Sequence, residues 1–246
     1  MLNPFPIVSA INFFSIVVLA VLILHLYIRA KKPLSPTMQA FIVFFVFIWM
    51  MLALLTVPLS GNVVRDTELN QVLSNISDLF FYGAIAFFAR VIFLFTFPRN
   101  RLMTVGIPLS CIILGIIILV WEMIDFTPSK TFLAGGIVGY PFIFYTNEAP
   151  LATQLINGLL TLFVFMGGAV FFLRQAWALK ERTPRLRSLL LGIAFVIGTM
   201  GGISDFLFST LPNAVYAFFI AAILVNISLV LMYAGVLIHA RTKLGE

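Results

Sequence analysis

The sequence predicts an all-α integral membrane protein: a seven-helix transmembrane bundle with its N-terminus outside and its C-terminus cytoplasmic. Three observations predict it. The 246 residues are 62% hydrophobic and only 10% charged. The mean hydropathy of +1.12 lies far above that of a water-soluble domain, which is about half apolar and a quarter charged. The basic residues gather in alternate links between apolar runs.

A helical span needs about 20 apolar residues to cross the hydrocarbon core. Runs of this kind, bounded by charge and proline, fall at about residues 6–29, 37–59, 72–97, 102–121, 151–175, 187–211 and 213–239. Residues 1–246 therefore read as one membrane domain without a soluble module. The first run lacks a charged leader and is too long for a signal core, so it is expected to be retained. The link after span 1 carries Arg29, Lys31 and Lys32, and the link after span 3 carries Arg99 and Arg101. Arg174, Lys180, Arg182, Arg185 and Arg187 follow or flank span 5, and Arg241 and Lys243 lie in the tail. The other links hold only Arg65 and Lys130, among the acids Asp66, Glu68, Glu122, Asp125 and Glu148. Positive loops stay cytoplasmic, which orients the bundle in a plasma membrane. The basic balance thus reports topology and not a nucleic-acid partner.

Most links are short, so sequential spans should be neighbours. The exception is the external segment 122–150, where Gly135, Gly136, Gly139 and Pro141 punctuate an aromatic stretch. Two readings stand for it: an ordered hairpin or lid over the outer mouth, or a loop lying on lipid headgroups.

Ionisable groups inside a span are costly and normally face the bundle interior. Asp78 and Asp205 fall in the outer thirds of spans 3 and 6, at similar depth. Asn12, Asn75, Gln154, Asn157 and Tyr216 cluster in the same outer half. This one-sided distribution predicts a ligand-binding pocket open to the outside. The competing reading is that these side chains only hydrogen-bond between helices. Arg90 lies twelve residues from Asp78, about 18 Å along the axis, and cannot simply pair with it. It either snorkels to the cytoplasmic face or holds the inner half closed. Gly198 and Gly202 give span 6 a small-residue face for close packing or bending, and such a face also suits a homodimer. Arg90, Gly198 and Gly202 are therefore candidate conformational residues.

No catalytic motif, phosphate loop or metal cluster is present, so no enzyme activity, metal or cofactor is expected. The two histidines, His25 and His239, read as interfacial residues rather than haem ligands. The last span has no lysine for a retinal linkage. Cys111, the single cysteine, lies in an apolar run and reads as packing.

Several motifs together resemble the seven-transmembrane N-terminal sensor region of bacterial histidine kinases. They are Trp49 within span 2; Phe93, Phe95 and Phe97 before Pro98 and Arg99; and Gly139, Tyr140 and Pro141 ahead of span 5. The basic link Arg182, Pro184, Arg185 and Arg187 before Leu189 and Gly192, and the run Gly201, Gly202, Asp205, complete them. The resemblance implies a bundle that perceives a signal and passes it to an output domain. No kinase domain follows span 7, so a separate cytoplasmic signalling protein is the expected partner. The sequence-level expectation is a receptor-like membrane protein for a small ligand, ion or proton. The alternative is a small secondary transporter that uses Asp78 and Asp205 for substrate or cation coupling.

Overall fold

A computed structural model describes residues 5–29, 33–54, 63–128, 130–137, 140–146, 150–208 and 214–242. Side chains are described at 13–28, 33–54, 67–128, 150, 152–153, 155–203 and 220–238. Among these residues the chain forms seven helical rods and a small sheet. Helix 1 is Ile7–Arg29, helix 2 Pro36–Leu54, helix 3 Val63–Thr96 and helix 4 Leu102–Ile124. Helix 5 covers 151–178, helix 6 is Arg182–Phe208 and helix 7 Ala214–Thr242. Six of them, helices 2 to 7, are long and apolar enough to cross a membrane. Helix 1 adds a shorter apolar stretch at Phe13–Ile28. The protein is a multi-pass helical membrane protein.

Local chemistry sets the helix starts. Ser35 Oγ accepts the backbone N–H of Met38 at 3.2 Å, and Pro36 fills the first helical position, where its missing N–H costs nothing. Asn100 Oδ1 accepts the N–H groups of Leu102 and Met103 at 3.0 and 3.3 Å and so caps helix 4. Pro98 follows the end of helix 3, where it cannot continue the ladder.

Two helices contain a widened π turn, at Leu102–Gly106 and Leu162–Met166. In helix 4, Pro108 supplies the cause: it has no N–H to donate, and its ring crowds the preceding turn. In helix 5 the turn follows Thr161, whose hydroxyl donates to the Asn157 carbonyl at 2.7 Å, and precedes Gly167 and Gly168.

Helices 1 to 4 pack in sequence, as do helices 5 to 7, and helix 7 returns to helix 1. Asn226 Nδ2 donates to Ser15 Oγ at 2.8 Å across that closing contact, and His25 Nδ1 bonds the Tyr233 hydroxyl. Helix 3 reaches helices 2, 4 and 5, whereas helix 4 packs mainly on helix 3 among the described residues and turns Leu109, Ile113, Ile116, Ile117 and Val120 outward. Such a run of exposed apolar side chains suits lipid, not water. Helices 4 and 5 are sequential but not packed side by side among the described residues.

Segment 122–150 differs from an all-α reading. Lys130–Ile137 and Tyr140–Thr146 pair as an antiparallel hairpin, and Phe5–Pro6 adds a short parallel strand to its second strand. The first hairpin strand lies against helix 3 and the second against helix 1. The hairpin arises because Gly135 and Gly136 interrupt a β-prone aromatic segment too short and broken for a span.

Helix ends also depart from the apolar runs. Helix 3 starts at Val63 rather than 72, because its first polar turns stand beyond the apolar segment. Helix 4 runs to Ile124 rather than 121, which moves Glu122 from the loop onto the helix. Helix 5 reaches 178, helix 6 begins at Arg182, and helix 7 runs to Thr242. Residues 55–62 and 209–213, where expected spans 2 and 6 end, lie outside the described residues.

The core is built of phenylalanine. Phe88 of helix 3 stacks with Phe165 of helix 5 at 5.2 Å and meets Phe195 of helix 6 at 4.1 Å between ring centroids. Phe172 stacks on Phe195 at 5.8 Å, and Phe44 of helix 2 closes on Phe88 at 5.7 Å. All but Phe165 are 0–1% exposed. Offset and tilted ring pairs at these separations are the favoured geometry for aromatic side chains.

Candidate functional site

The hairpin end of helices 3, 4 and 5 carries a cluster of polar side chains. Asn75, Asp78 and Tyr82 follow one another at three- and four-residue spacing and therefore share one face of helix 3. That face meets helix 4 in antiparallel register. Asn75 Nδ2 donates to the Glu122 carbonyl at 3.3 Å, and seven residues on, Tyr82 packs over Gly115, seven residues before Glu122. A β-carbon on Gly115 would sit 2.6 Å from Tyr82 Cβ, so only glycine permits this approach.

Helix 5 completes the cluster. Asn157 Nδ2 donates to Asp78 Oδ2 at 3.2 Å, and the Tyr82 hydroxyl donates to Asn157 Oδ1. Asn157 is thereby fixed between a donor and a carboxylate, and Asp78 is oriented through it. Gln71 Nε2 donates to Asn75 Oδ1 at 2.7 Å, one turn further out. The three buried carboxylate and carboxamide side chains among the described residues, Gln71, Asn75 and Glu122, all belong to this end of the molecule.

Glu122 is the unexpected member. It is 2% exposed, and neither carboxylate oxygen has a hydrogen-bond partner. Thr153 is its nearest polar neighbour, and the Thr153 hydroxyl also reaches the Pro150 carbonyl at 2.8 Å. Asp78 and Glu122 act on each other electrostatically. No ion pair reaches either one among the described residues.

Asn75, Asp78 and Asn157 thus lie at one end of the helix 3, 4 and 5 interface, held by hydrogen bonds between helices. Tyr82, Gln71, Thr153 and Glu122 join them without having been singled out. Tyr82 carried a signal, lying one turn from Asp78, whereas Glu122 read as a loop acid because Asp125, Thr127 and Pro128 follow it. Asp205 lies on helix 6 and Asn12, Gln154 and Tyr216 on helices 1, 5 and 7, with their side chains outside the described residues.

The conformational candidates have distinct surroundings. Arg90 is half-buried, with Nε lacking a hydrogen-bond partner and the guanidinium 6.0 Å from the Phe87 ring centroid. Gly198 faces helix 7, where a β-carbon would meet Ser228 Oγ at 2.8 Å. Gly201 shares that face, against Val225 and the Ala221 carbonyl. Gly202 points elsewhere, is exposed, and has only Thr161 within reach of an added β-carbon, at 3.6 Å. The close helix 6–helix 7 crossing is therefore made by Gly198 and Gly201, and Ser228 Oγ pins it by donating to the Ala194 carbonyl at 2.7 Å.

No family model matches the chain, and no curated protein sequence matches it.

Proposed function

We propose that the protein is a receptor-like sensor of the plasma membrane, which takes a small ligand, ion or proton at its hairpin end and signals through a cytoplasmic partner. In this reading all seven helices cross the membrane, the hairpin end faces outside and the C-terminus lies in the cytoplasm, as the alternation of basic links requires. The observation that carries the reading is the division of the interior. Polar groups converge at one end around Asp78, and the packed rings of Phe44, Phe88, Phe165, Phe172 and Phe195 fill the path beyond them. Polar groups gathered at one end and an apolar layer filling the interior beyond them suit perception better than passage.

Occupancy of the site would bias helix 5 through Asn157 and helix 6 through its contact with the helix 5 π turn, and so alter the basic cytoplasmic face. Asp205, Asn12, Gln154 and Tyr216 belong to the same outer half in this reading. Gly198, packed against helix 7, is where helix 6 would bend, and the exposed Gly202 is where it would meet a second copy. The likeness to histidine-kinase sensor regions points to a separate signalling protein as the partner.

The test is ligand binding to the purified chain in detergent, screened with small metabolites and ions. Binding abolished in the combined Asp78→Asn and Asp205→Asn variant supports the reading; undiminished binding there sinks the site. A cation-coupled transporter is the second reading, favoured by the carboxylates themselves. Concentrative uptake into proteoliposomes that depends on Asp78 would decide for it.

A further inference from the structure

Glu122 is a buried acid with both carboxylate oxygens outside any well-formed hydrogen bond. A carboxylate that is 2% exposed, with neither oxygen in a well-formed hydrogen bond and only the Thr153 hydroxyl beside it, has lost its hydration and gained little in return. Buried charges in proteins are paired with an opposite charge or coordinate a metal.

The antiparallel register of helices 3 and 4 places a second carboxylate against it. Asn75 is level with Glu122 and Tyr82 with Gly115. Asp78, between Asn75 and Tyr82 on the same face, is about 4.5 Å along the axis from the level of Glu122. One Asp78 oxygen is held by Asn157, which Tyr82 holds in turn, so the carboxylate's orientation is set before any ligand arrives. The donor set is two carboxylates, which are hard oxygen groups; Asn157 turns its Nδ2 to Asp78 and its oxygen to Tyr82 and so orients the set without adding to it. With both groups ionised the set carries a charge of −2, and no described lysine, arginine or histidine acts on it.

We propose that Asp78 and Glu122 bind one hard divalent cation of the Ca2+ or Mg2+ class, with water completing its coordination. Carboxylate oxygens suit these ions, and Mg2+ in particular is commonly held by one or two carboxylates while it keeps several waters. Two carboxylates match the charge of a divalent ion. Asn157 and Tyr82 are positioning residues that fix the Asp78 carboxylate, in the way outer partners commonly orient metal-binding groups. The inference names the ligand of the site proposed above and rests on that reading for access from outside.

The experiment uses the full chain in detergent, stripped with chelator and then titrated with Ca2+ and with Mg2+ at constant ionic strength. Binding is followed by calorimetry and thermal unfolding in parallel. The expected result is one saturable site per chain and a Tm that rises with metal. Glu122→Gln and Asp78→Asn each abolish both effects, while their Tm in chelator stays at or above that of the unaltered chain, which separates lost binding from lost folding. Asn157→Ala keeps the one-site stoichiometry with an affinity about 10- to 100-fold lower.

Absence of saturable binding by either metal, or undiminished binding in both carboxylate variants, overturns the inference. So does a Tm that follows pH through both carboxylates yet ignores metal, which makes the pair a proton site. An organic ligand bound at the outer site without any metal effect removes this inference and leaves the receptor reading standing. Metal binding without any cytoplasmic response does the reverse.

Discussion

The two ends of the helix 3–helix 5 interface are built on opposite principles. At the hairpin end Asp78, Asn157 and Tyr82 hold one another through directed hydrogen bonds, and Glu122 beside them is left without one. Farther along the same two helices, Phe88 and Phe165 stack at 5.2 Å with Phe195 against both, and the contact is entirely dispersion and shape. In a lipid setting no hydrophobic force drives helices together, so close packing supplies the stability and polar contacts add modestly. The difference teaches a division of labour: the aromatic layer keeps the bundle assembled, which frees the polar layer to hold groups that are poorly satisfied at rest.

Substitutions should break that division in a set order. Phe88→Ala has the largest effect: it empties the centre of the ring cluster and should lower unfolding stability by about 3 kcal/mol or more. Mixed-micelle denaturation should register the loss, with the cation affinity of the remaining folded chain little changed. Gly115→Val follows. Its added side chain meets Tyr82 Cβ, and we expect about 1–3 kcal/mol of destabilisation together with weakened binding, because Tyr82 is part of the polar relay. A Gly115→Val chain with full stability would show that helix 4 can move away freely.

Glu122→Gln should act the other way. Removing an unpaired buried charge should stabilise the chelator-treated chain by about 1 kcal/mol while eliminating any metal response. A clear loss of stability would mean that Glu122 is satisfied by the fold and would blur the contrast between the two ends. The smallest effect belongs to Ser228→Ala, which removes one interhelical hydrogen bond at the glycine crossing. The cost should be about 0.6 kcal/mol, measured in the same denaturation assay, with no change in binding.

Much of this architecture is legible in the chain. Each apolar run from the second to the seventh corresponds to a helix able to span a bilayer, because 20 apolar residues have few other stable arrangements. The grouping of Asn75, Asp78 and Asn157 is legible too, since depth can be counted from the span ends. Which side chains touch is harder to read. Glu122 looks like a loop acid by composition, and its burial depends on helix 4 continuing one more turn beneath Asn75. Gly202 repeats the spacing of a packing motif, yet Gly201 makes the contact: residues three and four beyond Gly198 fall on opposite sides of its direction, and helix 7 lies on the Gly201 side. Hydropathy also gives no warning of the π turn at Leu162–Met166, which adds a backbone unit without altering the apolar run.

That π turn lets helix 5 keep two separate appointments. A wide turn holds one residue more than an α turn, so everything after it is rotated by roughly 100° relative to an uninterrupted helix. Asn157, before the turn, faces Asp78; Phe165 and Phe172, within and beyond it, face Phe88 and Phe195. Deleting a single residue within 162–166 would give a perfectly regular helix that could satisfy one of these partners and not the other. Regularity, at this place in the chain, is what would cost the protein its architecture.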